Sequence, residues 1–370
     1  MLPGETIGIL GGGQLGRMIA IEAKKMGYLV ICLDPTPDSP CGQVADDQIV
    51  ARFDDAEAAM QLAERSALVL YEFENIDAAV VELLEKHCRL PQKSHILSIA
   101  QDRLTEKSEL KRAGFSVAPF IGIRHDSELI LAAKELGYPC ILKLSRGGYD
   151  GKGQLVIRGS GDISAALKQI YNSEQNWVLE KMIPFTSECS AIVARNTAGE
   201  TAVFPVPENI HRDNILFMSI VPARIAPEME QAARETALKI AQAFDLVGLL
   251  AVEFFVTAEG LVVNELAPRP HNSGHFTFDA CYTSQFEQLI RALCGLPFAS
   301  TELMTPVVMV NILGKDLDKV LRETDRLPPD TKLHIYGKRG ERSAKRKMGH
   351  LTIKTAFPQE IVSWADQFFS

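Results

Sequence analysis

The chain has 370 residues, which at about 150 residues per domain predicts two or three domains. Apolar residues make up 46% and charged residues 23% of it, proportions that exclude a disordered or fibrous protein. The net charge of −8 argues against a nucleic-acid-binding protein, which needs clustered cations, and we expect no nucleic-acid partner.

The seven cysteines are scattered and form no CxxC pair. This pattern argues against a disulfide framework and against a cysteine-based zinc site, and reduced thiols are typical of the cytoplasm. No apolar run approaches the roughly 18 residues of a membrane span. The first residues contain no basic segment followed by an apolar run, so we expect no signal peptide and a cytoplasmic location.

The first segment has the pattern of a βαβ unit. An apolar strand at 6–10 is followed by a glycine-rich turn at 11–16, a helix at 17–26 and a second strand at 29–33.

The glycine-rich turn fits a phosphate-bearing ligand. Gly11, Gly13 and Gly16 satisfy GxGxxG, and Asp34 follows the second strand, as in dinucleotide-binding proteins. Any other phosphate would also suit a helix N-terminus approached by backbone amides. A tight turn that only packs the helix against the strand is the alternative.

A third strand, predicted at 69–76, carries Glu72 and Glu74 on one face. Ligands of α/β sheets bind at the carboxyl ends of parallel strands, so either glutamate could contact one. Capping the next helix is the competing interpretation.

A charged helix is predicted at 99–113, followed by a linker at 114–119. The apolar strand at 138–145 then contains Lys143. A buried ammonium needs a partner, and a phosphate would satisfy it. A surface lysine with a buried stem is the alternative.

A loop with four glycines at 147–153 connects this strand to the next one. It lacks the glycine spacing and the Ser or Thr of a P-loop, and it joins two strands. Such a loop cannot pack a core, so we predict a mobile cover over a ligand. An unliganded hairpin turn is the alternative.

The strand predicted at 177–184 ends at Pro184. Its backbone at 181–183 can hydrogen-bond a flat heterocycle, with Glu180 as an accepting side chain. Glu188 begins the following strand.

A hairpin is predicted from strands at 249–256 and 261–266 with a three-residue loop, and this register places Glu253 opposite Glu265. Directly opposed carboxylates repel each other, and a divalent cation removes the conflict. Carboxylates together with nucleotide phosphates are the ligands expected for Mg²⁺. An altered register with both glutamates solvated is the alternative.

The polar loop after the hairpin, 267–275, offers several groups to a substrate: Arg269, His271, Asn272, Ser273 and His275. Two histidines at this spacing also suggest zinc, but the proline and glycine between them disfavour helical ligand geometry. Near the C-terminus, residues 336–350 hold a cluster of six cations, which indicates either a solvated loop or a phosphate-binding patch.

Six motifs together resemble the ATP-grasp superfamily and, within it, the N5-carboxyaminoimidazole ribonucleotide synthetase family. They are GGGQLGRM at 11–18, YEFENI at 71–76, GGYDGKGQ at 147–154, NELAPRPHNSGH at 264–275, TSQFEQ at 283–288 and RKMGH at 346–350. The resemblance covers essentially the whole chain, and the third and fourth motifs carry most of its specificity.

The resemblance implies a mixed α/β (α+β) protein with the ATP-grasp fold. Its parts would be a Rossmann-like pre-ATP-grasp domain with a linker helix at 1–112, a glycine-rich lid domain at 113–188 and a catalytic domain with a basic tail at 189–370. The ATP-grasp unit itself would span roughly 107–294.

The resemblance also implies a reaction in purine biosynthesis. ATP, bicarbonate and 5-aminoimidazole ribonucleotide would give N5-carboxyaminoimidazole ribonucleotide, ADP and phosphate through carboxyphosphate, with two Mg²⁺ ions, in a homodimer without a nucleic-acid or membrane partner. Alternatives are another ATP-grasp carboxylate–amine ligase, a non-catalytic nucleotide sensor, and an NAD-dependent oxidoreductase, which would leave the lid and the carboxylate pair without a role.

Matching motifs assign roles to individual residues. The ATP contacts are Arg103, Lys143, Gly148, Tyr149, Asp150, Gly151, Lys152, Gly153, Gln154, Glu180, Lys181, Met182, Ile183, Glu188, His211, Asn264 and Glu265. The ribonucleotide contacts are Gly12, Gly13, Gln14, Leu15, Glu74, Tyr149, Ser273, Lys338 and Arg346. The catalytic residues are Asp150, Lys152, Arg269 and His271, with Asp150 the first and His271 the second candidate for the base, and the metal ligands are Glu253 and Glu265.

Overall fold

A computed structural model describes residues 1–148, 153–171, 175–340 and 343–370. Tyr149, Asp150, Gly151 and Lys152, all predicted above to contact ATP or substrate, lie outside the described residues. Across the described ranges the strands form three sheets.

The first sheet is parallel, in the order β3-β2-β1-β4. The elements of this part are β1 (Thr6–Leu10), α1 (Gln14–Lys25), β2 (Leu29–Leu33), β3 (Asp47–Ile49), α2 (Ala56–Glu64), β4 (Leu68–Tyr71), α3 (Ala78–His87) and α4 (His95–Ala100). The predicted βαβ unit is confirmed, although its helix begins three residues earlier. The strand predicted at 69–76 was drawn too long: β4 ends at Tyr71, so Glu72 and Glu74 follow the strand.

The second sheet is antiparallel, in the order β5-β8-β6-β7. Its part of the chain contains α5 (Arg103–Arg112), β5 (Phe120–Ile123), α6 (Asp126–Leu136), β6 (Cys140–Leu144), β7 (Gln154–Ile157), α7 (Ile163–Tyr171) and β8 (Trp177–Lys181). The helix predicted at 99–113 is two helices. The chain breaks at Asp102, whose carboxylate accepts a hydrogen bond from the Thr105 amide and caps α5.

The third sheet runs β14-β13-β9-β11-β12-β15-β17-β16, with β10 paired to β9. The elements are β9 (Ser187–Arg195), β10 (Thr201–Val203), β11 (Glu208–Arg212), β12 (Ile215–Val221), α8 (Pro227–Ala243), β13 (Gly248–Thr257), β14 (Gly260–Ala267), α9 (Thr277–Ala280), α10 (Gln285–Cys294), β15 (Val307–Leu313), α11 (Leu317–Arg322), β16 (Thr331–Ile335), β17 (Lys347–Lys354) and α12 (Pro358–Phe368). The last strands of the chain therefore extend the same sheet that carries the predicted carboxylate pair.

The first and third sheets share one apolar core. Ile9 and Ile19 of the βαβ unit belong to the same buried cluster as Phe286 and Leu289 of α10. This packing fixes the glycine-rich turn relative to the loop after β14. No helix among the described residues has the length and apolarity needed to cross a membrane.

Candidate active site

The hairpin of β13 and β14 carries the predicted carboxylate pair. Glu253 lies opposite Glu265, as predicted. The reason differs, because Thr257 pairs with Gly260, which leaves a two-residue loop, and a β-bulge restores the predicted register. The extra residue of the bulge is Asn264, so Asn264 and Glu265 both oppose Glu253.

Each of the two opposed carboxylates has its own cationic or imidazole partner. Arg103 Nη1 lies 2.9 Å from Glu265 Oε2, and His271 Nε2 lies 3.2 Å from Glu253 Oε1. Burial alone would raise the pKa of Glu253, but the hydrogen bond from His271 and the surrounding positive charges, including Lys347, lower it to about 2. Two opposed carboxylates and an adjacent amide oxygen are a donor set that fits Mg²⁺.

A second imidazole–carboxylate pair lies on the neighbouring strands. His211 Nδ1 is 2.8 Å from Glu188 Oε2. Burial opposes the charged imidazole, yet the pKa of His211 is raised because of the hydrogen bond and charge of Glu188. Glu253 also adds to this electrostatic effect, so His211 lies near the carboxylate pair.

Lys143 has a protein partner, which the sequence did not predict. Its Nζ lies 3.0 Å from Glu180 Oε2, and Lys107 Nζ lies 3.3 Å from the same oxygen. All three side chains are almost fully buried, and we call them the lysine–glutamate cluster. The lysines contact only Oε2 of Glu180, and its Oε1 has no hydrogen-bond partner among the described residues, so Glu180 as an acceptor for a heterocycle stays a prediction.

The lysine–glutamate cluster has a surplus of positive charge. Burial lowers the pKa of Lys143, although Glu180 opposes the shift. Glu106 lies on the same helix turn as Lys107, and burial raises the pKa of this carboxyl to about 8 despite the charge of Lys107. The three cations Lys107, Lys143 and Arg103 form their ion pairs with only two carboxylates, those of Glu180 and Glu265. A nucleotide phosphate would supply the missing negative charge.

The residues around the glycine-rich loop approach this cluster. Arg103 Nη2 donates to the Gly148 carbonyl at 3.2 Å. Beyond the gap in the described residues, Gly153 lies at the start of β7 and Gln154 pairs with Lys143. The connection of two antiparallel strands, as predicted, is confirmed.

The end of β8 exposes the backbone predicted to bind a heterocycle. The Lys181 and Met182 amides already donate to the carbonyls of Pro119 and Pro139, at 2.8 and 3.1 Å. Met182 is exposed and Ile183 half-buried. These two amides are therefore already paired within the protein.

The glycine-rich turn is shaped by two acidic side chains. Gly12 N donates to Asp34 Oδ2 at 2.9 Å, and Gly13 N donates to Glu72 Oε1 at 2.8 Å. A Cβ on Gly12 would lie 2.4 Å from Ser39 Oγ, so the turn requires glycine there. Asp34 is buried and serves the turn itself, which disfavours the NAD interpretation, in which this carboxylate binds a ribose.

The first turn of α1 remains open to an anion. Its amides, including those of Gln14 and Leu15, have no acceptor within the helix, and no side chain caps them. Lys338 Nζ donates to Gln14 Oε1, which brings one predicted tail cation to this turn. Arg346, the other predicted cation, donates to the Arg339 carbonyl at 2.9 Å.

A bidentate ion pair joins the segment after β4 to the loop after β14. Arg269 Nε and Nη2 both bind the carboxylate of Glu74, the second contact at 2.8 Å. Burial alone would raise the pKa of Glu74, but the charge of Arg269 lowers it. Glu72, which lacks such a partner, has its pKa raised by burial to about 7.

The loop after β14 has one part that faces the carboxylate pair and one part that is buried. His271 is turned towards Glu253, whereas Ser273 is fully buried, with its hydroxyl 2.8 Å from His271 Nδ1. The expectation that Ser273 contacts the ribonucleotide does not fit this position. His275 is also fully buried and contacts Gln285, so it takes no part in a shared site with His271.

A separate group of metal-type side chains lies away from the hairpin. In the part of the chain that the structure describes, Asp279, His334 and His350 have ligand atoms within 4.8 Å of one another. The two imidazoles stack at 4.4 Å with planes 11° apart. Lone pairs in nearly parallel ring planes do not converge on one ion, so we interpret the group as a packing cluster.

Several residues of the site were missed by sequence reasoning. Glu106 and Lys107 are buried, but they lie inside the predicted charged helix, whose sequence has no amphipathic pattern that would indicate a buried face. Lys347 adjoins the predicted Arg346, and its charge lowers the pKa of Glu253. The only available signal was the surplus of cations in the tail.

Three domain families match successive parts of the chain. Residues 4–101 match the ribonucleotide synthetase preATP-grasp domain, residues 108–286 the ATP-grasp domain, and residues 307–362 the phosphoribosylaminoimidazole carboxylase C-terminal domain. The N5-carboxyaminoimidazole ribonucleotide synthase of Bacillus subtilis strain 168 is 51% identical over 352 residues, covering 95% of this chain and 92% of the relative.

The chain belongs to the N5-carboxyaminoimidazole ribonucleotide synthase family. A solved ADP complex of an N5-carboxyaminoimidazole ribonucleotide synthetase superposes with a TM-score of 0.97 at 52% identity, covering 100% of this chain and 97% of that one. The Aspergillus clavatus synthase, solved with ADP and 5-aminoimidazole ribonucleotide, superposes with a TM-score of 0.90 at 29% identity over 99% of this chain and 100% of that one. The predicted ATP-grasp fold is confirmed, and the family is one of ATP-grasp ligases.

Proposed function

We propose that this chain is an ATP-dependent ligase of purine biosynthesis. It carboxylates 5-aminoimidazole ribonucleotide with bicarbonate and forms N5-carboxyaminoimidazole ribonucleotide, ADP and phosphate. The observation that carries the proposal is the Arg103–Glu265 ion pair of 2.9 Å, because it joins a cationic phosphate site to the carboxylate pair of a metal site. The family supports the choice of substrates.

The lysine–glutamate cluster and Arg103 would hold the ATP phosphates. Glu180 fixes both lysines through one oxygen, so their ammonium groups are in place before ATP arrives, and little reorganisation is needed during phosphoryl transfer. Glu188, His211 and the backbone at the end of β8 would complete the nucleotide site.

Glu253 and Glu265, with Asn264, would hold Mg²⁺. When bound, the metal supplies positive charge that stabilises the transferring phosphoryl group. The protein's own contribution is the bulge, which sets three oxygen-bearing side chains at one cross-strand position.

The ribonucleotide would lie between the first turn of α1 and the loop after β14. Gln14 and Leu15 offer amides to its phosphate, and Lys338 offers a charge beside them. Arg269, held by Glu74, faces the same region. Asp150 would accept the amine proton and Lys152 would bind the carboxyl-bearing intermediate, two roles that rest on the family resemblance.

The same proposal includes carboxyphosphate as the intermediate, a homodimeric assembly, a cytoplasmic location, and domain boundaries after residues 112 and 188. They rest on the family resemblance. The oligomeric state is checked by sedimentation equilibrium of the purified chain, where a monomer at micromolar concentration would remove the dimer from the proposal.

The deciding experiment measures ADP release from ATP and Mg²⁺. Bicarbonate and 5-aminoimidazole ribonucleotide are added singly and together, and the acid-labile product is trapped. We expect strong release only when the ribonucleotide is present. If ATP binds but the ribonucleotide has no effect, the substrate assignment is wrong and other amine acceptors must be screened.

A further inference from the structure

A chain of buried hydrogen bonds ends on His271. It begins with Ser219 Oγ, which donates to Asn209 Oδ1 at 2.9 Å, and continues from Asn209 Nδ2 to Ser190 Oγ at 3.0 Å. The hydroxyls of Ser190 and Ser273 are 2.7 Å apart, and Ser273 Oγ lies 2.8 Å from His271 Nδ1. Water has no access to these serines, and the asparagine is only 5% exposed.

The direction of donation along this chain is set at both ends. At the histidine end, the backbone amide of Ser273 points at Nδ1, and a carboxylate oxygen of Glu253 lies 3.2 Å from Nε2. Nδ1 therefore meets donors and Nε2 meets an acceptor. Since each ring nitrogen of a neutral imidazole either donates or accepts, this setting favours hydrogen on Nε2 alone.

The far end of the chain agrees with this direction. When Ser219 donates, every hydroxyl hydrogen in the chain finds an acceptor, and the last one, from Ser273, reaches His271 Nδ1. In the reversed order the Ser219 hydrogen has no acceptor among the hydrogen bonds of the described residues. A buried hydrogen without an acceptor is costly, so the reversed order is disfavoured.

We propose that Ser219, Asn209, Ser190 and Ser273 are positioning residues that orient the His271 ring, with Nδ1 accepting the hydrogen of Ser273 Oγ and Nε2 carrying hydrogen on the side of Glu253. His271 then presents an N–H at Nε2, on the side of Glu253, and its lone pair at Nδ1 is engaged by Ser273. It serves the reaction as a hydrogen-bond donor to developing negative charge, and the amine proton goes elsewhere. The role of His271 in the reaction rests on the proposed function, whereas the position of the hydrogen on its ring is a property of the protein alone.

Gln285 reinforces the arrangement from the backbone side. Its Oε1 accepts from the His271 amide at 2.9 Å, and its Nε2 donates to the His271 carbonyl at 2.8 Å. The main chain of His271 is thus held on both sides, and the serine chain needs to fix only the ring.

The test is nitrogen NMR of the full chain labelled with ¹⁵N-histidine, recorded without nucleotide, metal or ribonucleotide. His271→Gln identifies the His271 signals. We expect Nε2 of His271 to resonate as a protonated, pyrrole-type nitrogen and Nδ1 as a bare, pyridine-type one. Protonated Nδ1, or an equal mixture of the two forms, would overturn the proposal.

Two variants extend the test. Ser273→Ala removes the donor to Nδ1, and we expect a mixture of ring forms together with a kcat about 3- to 10-fold lower at unchanged KM for ATP. Asn209→Asp has only accepting oxygens, so it forces Ser190 to donate towards it and should shift hydrogen to Nδ1. An unchanged His271 spectrum in both variants would contradict the positioning role.

The matched control is Asn311→Asp. Asn311 is as buried as Asn209 and pairs with Asn272, next to His271 in the same loop, but it lies outside the serine chain. We expect the ring form of His271 to stay as in the parent chain, and a change there would mean that any buried charge disturbs the loop. If the parent shows the Nε2–H form but no ribonucleotide-dependent ADP release, the proposed function fails while this inference stands.

Discussion

Replacing Glu180 by glutamine removes the single negative charge that two buried lysines share. The three side chains are only 3%, 1% and 12% exposed, so solvent cannot take over the role of the carboxylate. Breaking a buried ion pair by removing one partner costs about 3–5 kcal/mol. For 370 residues this corresponds to a fall in Tm of about 4–6 °C.

The same change should make nucleotide binding more stabilising. In the Glu180→Gln variant the ammonium groups of Lys107 and Lys143 lack a counter-charge until a phosphate arrives. We therefore expect Mg-ATP to raise Tm by more in the variant than in the parent, measured by differential scanning calorimetry with and without saturating nucleotide.

The control for this experiment is Glu208→Gln, on β11 of the third sheet. Glu208 is also buried and forms a bidentate pair with Arg224, at 2.7 and 2.8 Å. This variant should lose stability without any change in the shift caused by Mg-ATP. Equal shifts in the parent and in both variants would refute the reasoning, because the lysine–glutamate cluster would then not contact the phosphates.

Three further results are expected. Burial raises the pKa of Glu72 to about 7 in the folded chain, above its ordinary value of 4.5, so its contribution to stability is full below about pH 4.5 and is lost as the pH rises through 7. In thermal unfolding between pH 5 and 8, Glu72→Gln should therefore gain stability relative to the parent, by up to about 3 kcal/mol. Parallel stability curves for the two proteins would contradict this expectation. Glu265→Gln should lower kcat for ADP release at least about 100-fold with the fold intact by circular dichroism, and normal turnover would remove Glu265 from the metal site. Gly12→Ala places a Cβ 2.4 Å from Ser39 Oγ and should raise KM for the ribonucleotide more than KM for ATP, whereas equal effects on both would indicate general damage.

The sequence was most informative where the relevant contacts are local. The βαβ unit and the strands of the hairpin follow from apolar patterns and glycines within a few residues of one another. The opposition of Glu253 and Glu265 was predicted correctly, but from a three-residue loop and not from the bulge at Asn264 that produces it. A bulge and a three-residue loop give the same register, and residue spacing cannot tell them apart.

Long-range partners were beyond sequence reasoning. Lys143 needed a counter-charge, but nothing in the pattern pointed to Glu180, which is 37 residues away, or to Lys107 on another element. Ser273 was expected to contact substrate because the loop is polar. Its burial depends on Ser190, on a strand 83 residues earlier, so only the fold could reveal it.

The pairing of β12 with β15 affects how the chain unfolds. Four residues of each strand pair between Met218–Val221 and 307–310, so the C-terminal family match at 307–362 lies within the hydrogen-bonded sheet of its neighbour. A chain truncated before β15 would leave β12 as a bare apolar edge, a template for aggregation. The boundary between the two family matches is therefore bridged by strand pairing, and the two segments should melt in one cooperative transition.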